Sequence, residues 1–259
     1  MTITVTPTVE AGNVPPRVRL DVAASAGETL TTVTRINGDG SSTPVRTGDG
    51  NPLPISGGVA LVYDYEMGYG DAVAYTSVES PGTVSAQVTV AAAQAWLVHP
   101  GVPALSIPVT FRPGTLQEET YTVSQAAYVV MGRPNPVVVN DGIRHGAASI
   151  LIVTVASPGD LQAVKDLLWD AATLLLNIPL DLATEFDTCY VAIGEVKIGR
   201  WTDVVIDGNR DISLPFQVVD RPIGGSQSQR TYVDVLTGYS SYAAVLAAYP
   251  SYTALLAGP

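Results

Sequence analysis

The residues best equipped for chemistry stand together at Asp64-Tyr65-Glu66, with Tyr69 close behind. Residues two apart in an extended chain point the same way, so this spacing places both carboxylates on one face of a strand. Paired acids hydrolyse a glycoside when another carboxylate faces them across a cleft. No segment of the chain supplies that opposing wall. Asp64, Tyr65, Glu66 and Tyr69 are therefore read as a candidate glycan-contact loop, in which rings stack on sugar and acids accept from hydroxyls. The plainer alternative leaves both acids solvated at a strand edge or bound to turn amides.

Other chemistries have less to stand on. His99 and His145 are the two histidines, and neither belongs to an HxH or HExxH pattern that would bring two imidazoles to one ion. Each reads as a structural or loop residue. Gly224-Gly225-Ser226 lacks the remainder of a nucleophile elbow. Cys189 opens the apolar run Tyr190-Val191-Ala192-Ile193 and reads as a buried strand residue rather than a reactive thiol. Gly38-Asp39-Gly40 and Gly48-Asp49-Gly50 offer one acid each, too few for a calcium loop, and read as hairpin turns. No Gly-rich phosphate loop with its Lys is present. The expectation is a protein without catalytic residues, cofactor or metal.

Composition narrows the partners. Thirteen basic against 24 acidic residues give a net charge of −11, the opposite of a nucleic-acid footprint and unsuited to anionic lipid. A single cysteine forbids an intrachain disulfide. The apolar runs Ala147 to Ala156 and Ala171 to Leu176 are too short to span a bilayer, and the N-terminus lacks the pattern of a signal peptide. Assembly in a cytoplasm, with no nucleic-acid partner and no membrane insertion, is expected.

The elements that must position these residues are mainly β. Alternating Val- and Thr-rich runs fill residues 1–92, divided by Asn37-Gly38-Asp39-Gly40 and Gly48-Asp49-Gly50-Asn51-Pro52, which predicts a β-sandwich of the fibronectin III/Ig-like kind. The texture changes near residue 93 to a proline-punctuated entry from Trp96 to Pro103. Strand-like runs resume at Glu119 to Met131, Pro136 to Val139, Ser149 to Ala156, Cys189 to Ile193, Trp201 to Ile206 and Asp211 to Val219. Between them Ser157, Pro158 and Asp160 form a helix start, and Leu161, Val164, Leu168, Ala171 and Leu175 recur on one face. A helix over 158–176 is predicted, packed on a β-sandwich-like second domain spanning 93–222. Residues 223–259 are read as a polar linker and three ten-residue repeats.

Several short signatures, in order, resemble the minor tail proteins of long-tailed phages infecting actinobacteria. They are Asp64-Tyr65-Glu66 with Gly68, Gly70 and Tyr75; Trp96-Leu97 followed by Pro100, Pro103, Leu105-Ser106 and Pro108-Val109; Gly132-Arg133-Pro134 with Pro136-Val137-Val138; Leu175-Leu176-Asn177-Ile178-Pro179; and Asp220-Arg221-Pro222. The family's proline after the acids is missing, its place taken by Met67-Gly68-Tyr69. The resemblance implies a virion structural role at the tail tip or baseplate, assembly into a ring or other symmetric homo-oligomer, and contacts with other tail proteins. It also implies that the second domain is similar to the sandwich of tail-tube and distal-tail proteins.

The repeats align Tyr232, Tyr242 and Tyr252 in one column and Leu236, Leu246 and Leu256 in another. On one continuous helix a ten-residue step turns the stripe by roughly 80° per copy, so three separate short helical pieces are expected instead. Helices of about two turns are unstable alone and must dock, on their own domain or on a neighbour. Those six residues are the candidate interface. Two functions are thus carried forward: a tail-tip assembly protein, and, as the alternative, a module that binds host cell-surface glycan through the loop at Asp64 to Tyr69.

Overall fold

A computed structural model describes residues 3–24, 30–46, 53–54, 59–78, 80–112, 114–116, 118–121, 123–132, 134–144, 147–182, 187–200 and 209–222. The terminal repeats and the run Trp201 to Ile206 lie outside the described residues. The chain is mainly β, with one α-helix among the described residues.

The N-terminal part is two antiparallel sheets face to face. β1 (Thr4–Glu10), β2 (Arg17–Ala23) and β7 (Val59–Asp64) form one, in the order β1-β2-β7. The other runs β10-β8-β4-β5, from β4 (Val33–Ile36), β5 (Ser42–Pro44), β8 (Ala72–Ser77) and β10 (Val88–Thr89), with β9 (Ser80–Val84) also on β8. A two-residue pair, β3 (Leu30–Thr31) with β6 (Leu53–Pro54), stands beside them. Alternation explains the packing: Val18, Leu20 and Val22 point inward from β2, and Val33, Val73 and Tyr75 meet them. The hairpin expected at Asn37 to Gly40 is present. Gly40 adopts φ 82°, and the Asp39 carboxylate accepts from the Ser41 amide at 2.8 Å, so this acid ties a turn.

The second part is a seven-stranded antiparallel sheet ordered β12-β11-β16-β17-β19-β15, with β18 on β19. Its strands are β11 (Ala95–Val98), β12 (Ile107–Val109), β15 (Ala148–Val155), β16 (Leu174–Asn177), β17 (Cys189–Ile193), β18 (Lys197–Arg200) and β19 (Arg210–Val219). Beyond β12 the chain runs along β15: Phe111 bridges Val153, Thr120 bridges Ala148, and the Arg112 and Leu116 amides donate to Ile152 and Ile150. The sheet is thereby tied last strand to first and closes on itself. From the Thr120–Ala148 bridge the same two strands continue outward as a ribbon, β13 (Val123–Tyr128) paired with β14 (Val137–Arg144).

The helix, α1 (Pro158–Asp170), begins as expected. Ser157 Oγ accepts from the Asp160 amide at 3.1 Å, with Pro158 in the first turn. It ends earlier than the predicted 158–176. Ala171 turns extended (φ −105°, ψ 119°) and Leu174–Asn177 forms β16, all four residues buried. Three consecutive leucines are the pattern of a strand covered on both faces, which the helical spacing of Ala171 and Leu175 masked.

The strands at the entry were read as punctuation, yet β11 is buried throughout. Its side chains alternate between two cores: Trp96 and Val98 pack with the sandwich, Ala95 and Leu97 with the closed sheet. β16 does the same, with Leu175 turned to the sandwich and Leu174 and Leu176 to the closed sheet. The two bodies share a wall. Trp96→Ala is therefore expected to cost about 3 to 5 kcal/mol and to speed hydrogen exchange in β7 as well as in β16. Exchange altered in the closed sheet alone would refute a shared wall.

Candidate functional site

The segment Asp64 to Asp71 leaves the end of β7 and runs along this wall. Five consecutive residues, Tyr63 to Met67, are buried, because the sandwich covers one side of the segment and the closed sheet the other. Asp64 is 2% exposed and holds Arg35, whose Nη1 lies 3.0 and 2.8 Å from its two oxygens. Tyr75 Oη donates to the same carboxylate at 3.1 Å, and the Glu66 amide donates to it at 2.9 Å. Glu66 in turn accepts from Arg46 Nε at 2.8 Å and from Arg221, which arrives from beyond β19. Arg46 also donates to the Pro222 carbonyl at 2.9 Å. Each buried acid is thus met by arginine, as burial of charge requires.

Tyr65 points elsewhere. Its hydroxyl accepts from Arg17 Nη1 at 2.8 Å, and the Arg17 guanidinium lies 3.9 Å over the Tyr63 ring while donating to Glu10 at 2.6 Å. Tyr69 is fully buried, its hydroxyl donating to the Pro16 carbonyl at 3.3 Å. Its backbone is read by a side chain that sequence inspection passed over. Asn177, at the end of β16 and fully buried, donates from Nδ2 to the Met67 carbonyl (2.7 Å) and accepts at Oδ1 from the Tyr69 amide (3.1 Å). Thr188 Oγ1 donates to the same Oδ1 at 3.1 Å, and the Leu180 amide donates to the Tyr69 carbonyl at 3.2 Å. The turn must stay close: Gly70 has φ 92°, and a Cβ there would press on Leu180 at 3.2 Å.

The candidate glycan-contact loop is corrected by this geometry. Asp64, Tyr65, Glu66 and Tyr69 are 2%, 8%, 6% and 0% exposed, so none of their side chains is offered to a sugar. Of the plainer reading, solvation fails for both acids, while binding to a turn amide holds for Asp64, which accepts from the Glu66 amide. Glu66 and the Tyr69 backbone join the sandwich to the closed sheet, whereas the side chains of Asp64 and Tyr65 are held within the sandwich. Of the candidate interface residues, Tyr232, Leu236, Tyr242, Leu246, Tyr252 and Leu256 all lie outside the described residues.

A cleft of about 530 Å3 opens beside the junction, lined by Asn37, Asp39, Asp71, Asp187, Thr188 and Arg221 among others. Among the described residues no three His, Cys, Asp or Glu side chains gather closely enough to hold a metal ion, and no helix is long and apolar enough to cross a membrane. His99 serves a turn: its Nδ1 accepts from the Gly101 and Val102 amides at 2.9 and 2.8 Å. Cys189 is partly buried, and burial pushes its thiol up to about 11. The chain matches no protein-family model and no curated protein.

Four of the five segments that carry the resemblance contribute here, whereas Gly132 to Val138 lies on the ribbon. Asp64 to Tyr75, Trp96, Asn177 and Arg221 are far apart in the chain and join at one seam. The polar latch is testable. Asn177→Ala leaves the Met67 carbonyl and the Tyr69 amide buried without partners, which costs about 1 to 3 kcal/mol for each group. The variant is expected to split one urea transition into two as the bodies uncouple; a single transition at the original midpoint would rule the latch out.

Titration gives a second check. Burial, with the Glu66 carboxylate beside it, pushes the Tyr190 phenol up to about 12, and burial raises Tyr69 and Tyr75 as well. An unfolded tyrosine ionises near 10. Below that pH both states are neutral and the contribution is complete; above it the unfolded chain alone loses protons, so stability falls as pH rises toward the folded values. Thermal midpoints should hold steady to about pH 8, ease as the unfolded Cys189 thiol ionises at about 8.5 and drop further between about 10 and 12, with Tyr190→Phe flattening the later part of the drop.

Proposed function

We propose that the chain is a structural, non-enzymatic subunit of the tail tip or baseplate of a long-tailed phage infecting actinobacteria. It is made in the host cytoplasm, assembles with copies of itself into a symmetric oligomer, joins neighbouring tail proteins and is carried in the virion. The observation that carries this reading is the convergence of four of the five motif segments on one junction, the fifth lying on the ribbon. Signatures weak one by one become parts of a single device: Glu66 of the acid motif pairs with Arg221 of the closing motif, and Asn177 of the leucine motif reads the backbone of Met67 and Tyr69.

In this reading the first body is fibronectin III-like, supported by its division into sheets β1-β2-β7 and β10-β8-β4-β5. The second is tail-tube- or distal-tail-like, supported by the closed sheet with its single packed helix and the ribbon prolonged beyond it. A subunit of such an assembly needs rigidity between its domains. The shared wall and the doubly paired acids supply it. The terminal repeats act as ties to a neighbour through Tyr232, Tyr242 and Tyr252.

The test is to purify phage particles from an infection and look for the subunit. It is expected in virions at a fixed copy number, with a tagged version adding density at the tail tip in electron micrographs. Recovery from the lysate but not from particles would overturn the reading. Removing residues 224–259 is expected to abolish incorporation while leaving the body folded; normal incorporation would remove the repeats from the proposal.

A further inference from the structure

The ribbon β13–β14 is the part of the molecule whose surface does not suit a single copy in water. It pairs with no other strand among the described residues, and its contacts with other elements are few. From Ala126 to Gly132 and from Pro134 to Val139 the side chains are exposed on both faces. Tyr128, Val129, Val130 and Met131 are 57%, 88%, 41% and 99% exposed, and Val137, Val138 and Val139 on the return strand are 37%, 55% and 57% exposed. From Thr120 to Tyr128 the ribbon reaches roughly 25 Å at the usual rise of a strand. A lone two-stranded ribbon is at best marginally stable in water, and each strand leaves one edge of amides and carbonyls to be paired.

We propose that this ribbon is the self-association surface of the chain, and that its occupant is a second copy of the same protein. The inference deepens the assembly reading above, which it rests on, by naming the surface and the partner. Area is the first argument. With ordinary side-chain areas of roughly 150 to 220 Å2, the seven exposures and that of Tyr121 (52%) leave on the order of 800 Å2 open, about one partner's share of a standard interface. Divided between the two faces, it leaves on each an area within the range of the largest apolar patch of a typical monomer, roughly 300 to 600 Å2, a patch that is often functional.

Charge is the second argument. The chain carries a net −11, so two copies repel wherever acidic surfaces approach. From Tyr121 to Val139 the sequence holds one charged residue, Arg133, and no acid. Carried to the end of β14, the ribbon holds one acid, Asp141, against two bases, Arg133 and Arg144, so a second acidic copy approaches it with less repulsion than an acidic surface would give. Its open edges add main-chain pairing to apolar contact, and an edge is self-complementary by construction.

The experiment measures the mass of the full chain by sedimentation over a range of micromolar concentrations. The native chain is expected to be oligomeric. The double variant Val129→Asp with Met131→Asp puts two acids on exposed positions, leaves the far-ultraviolet spectrum unchanged and weakens self-association by tenfold or more, about the loss of one hot-spot contact. Met131→Leu keeps association and serves as the control. A monomeric native chain overturns the inference. If the double variant then fails to enter particles, the ribbon's occupant is another tail protein and the assembly reading stands without this one. If removing residues 224–259 from a monomeric chain makes it associate, the terminal segment covers the ribbon and a second copy does not. A native oligomer whose mass the double variant leaves intact overturns the inference as well, since the copies then meet elsewhere.

Discussion

Everything in the described body depends on strands that have no outside. β11 and β16 are buried along their whole length, and their side chains divide by parity between the sandwich core and the core of the closed sheet. Tyr190 on β17 extends the same wall toward the sandwich. A strand covered on both faces can only be apolar on both, apart from a polar group whose every hydrogen bond is met. Asn177 is that group. Its amide takes the place of one more strand residue by pairing with the main chain of Met67 and Tyr69, so the loop leaving β7 is held to the second sheet as firmly as a neighbouring strand would be.

Apolar contact alone would not fix how the bodies sit, because it is nearly without direction. The buried acids add direction. Asp64 is bound within the sandwich by Arg35 and Tyr75, whereas Glu66, two residues on, is shared between Arg46 of the sandwich and Arg221 from beyond β19. Forming such pairs in a dry place contributes little net stability, but removing one partner strands a buried charge at a cost of about 3 to 5 kcal/mol. A rotation of one body on the other would separate Glu66 from Arg221 while leaving most apolar area covered. The ion network therefore penalises the very displacements that the hydrophobic wall tolerates.

Much of this was legible in the residues, and the failures share a cause. The sandwich strands were readable where one face is wetter than the other, so that β2 and β4 alternate. The start of α1 was readable because Ser157, Pro158 and Asp160 are local signals. β11, β16 and the role of Asp64 and Glu66 were not. Burial on both faces erases alternation, so Leu174 to Leu176 extended a helical spacing and Tyr63 to Met67 passed for an exposed loop. What makes Glu66 structural is Arg221, 155 residues away, and no local pattern carries that information. Asn177 stood inside the Leu175 to Pro179 signature, but nothing local gave its side chain a role, since a single asparagine before Ile178-Pro179 reads as a helix end.

The contrast between the junction and the ribbon bears on function more than either does alone. The chain spends arginines to neutralise acids it has buried and closes the edges of its large sheet by running residues 110–120 along β15. A sequence that covers its edges in one place leaves Ala126 to Met131 and Val137 to Val139 exposed in another. The ribbon continues the direction of β15 and of the segment bridged to it at Thr120. Its length and its valines follow from the strand on which it grows, and its exposure follows from reaching past the body that would have buried it. A rigid body with one such arm transmits to the arm's partner whatever force or position its junction holds, which is the mechanical requirement of a subunit in a symmetric assembly.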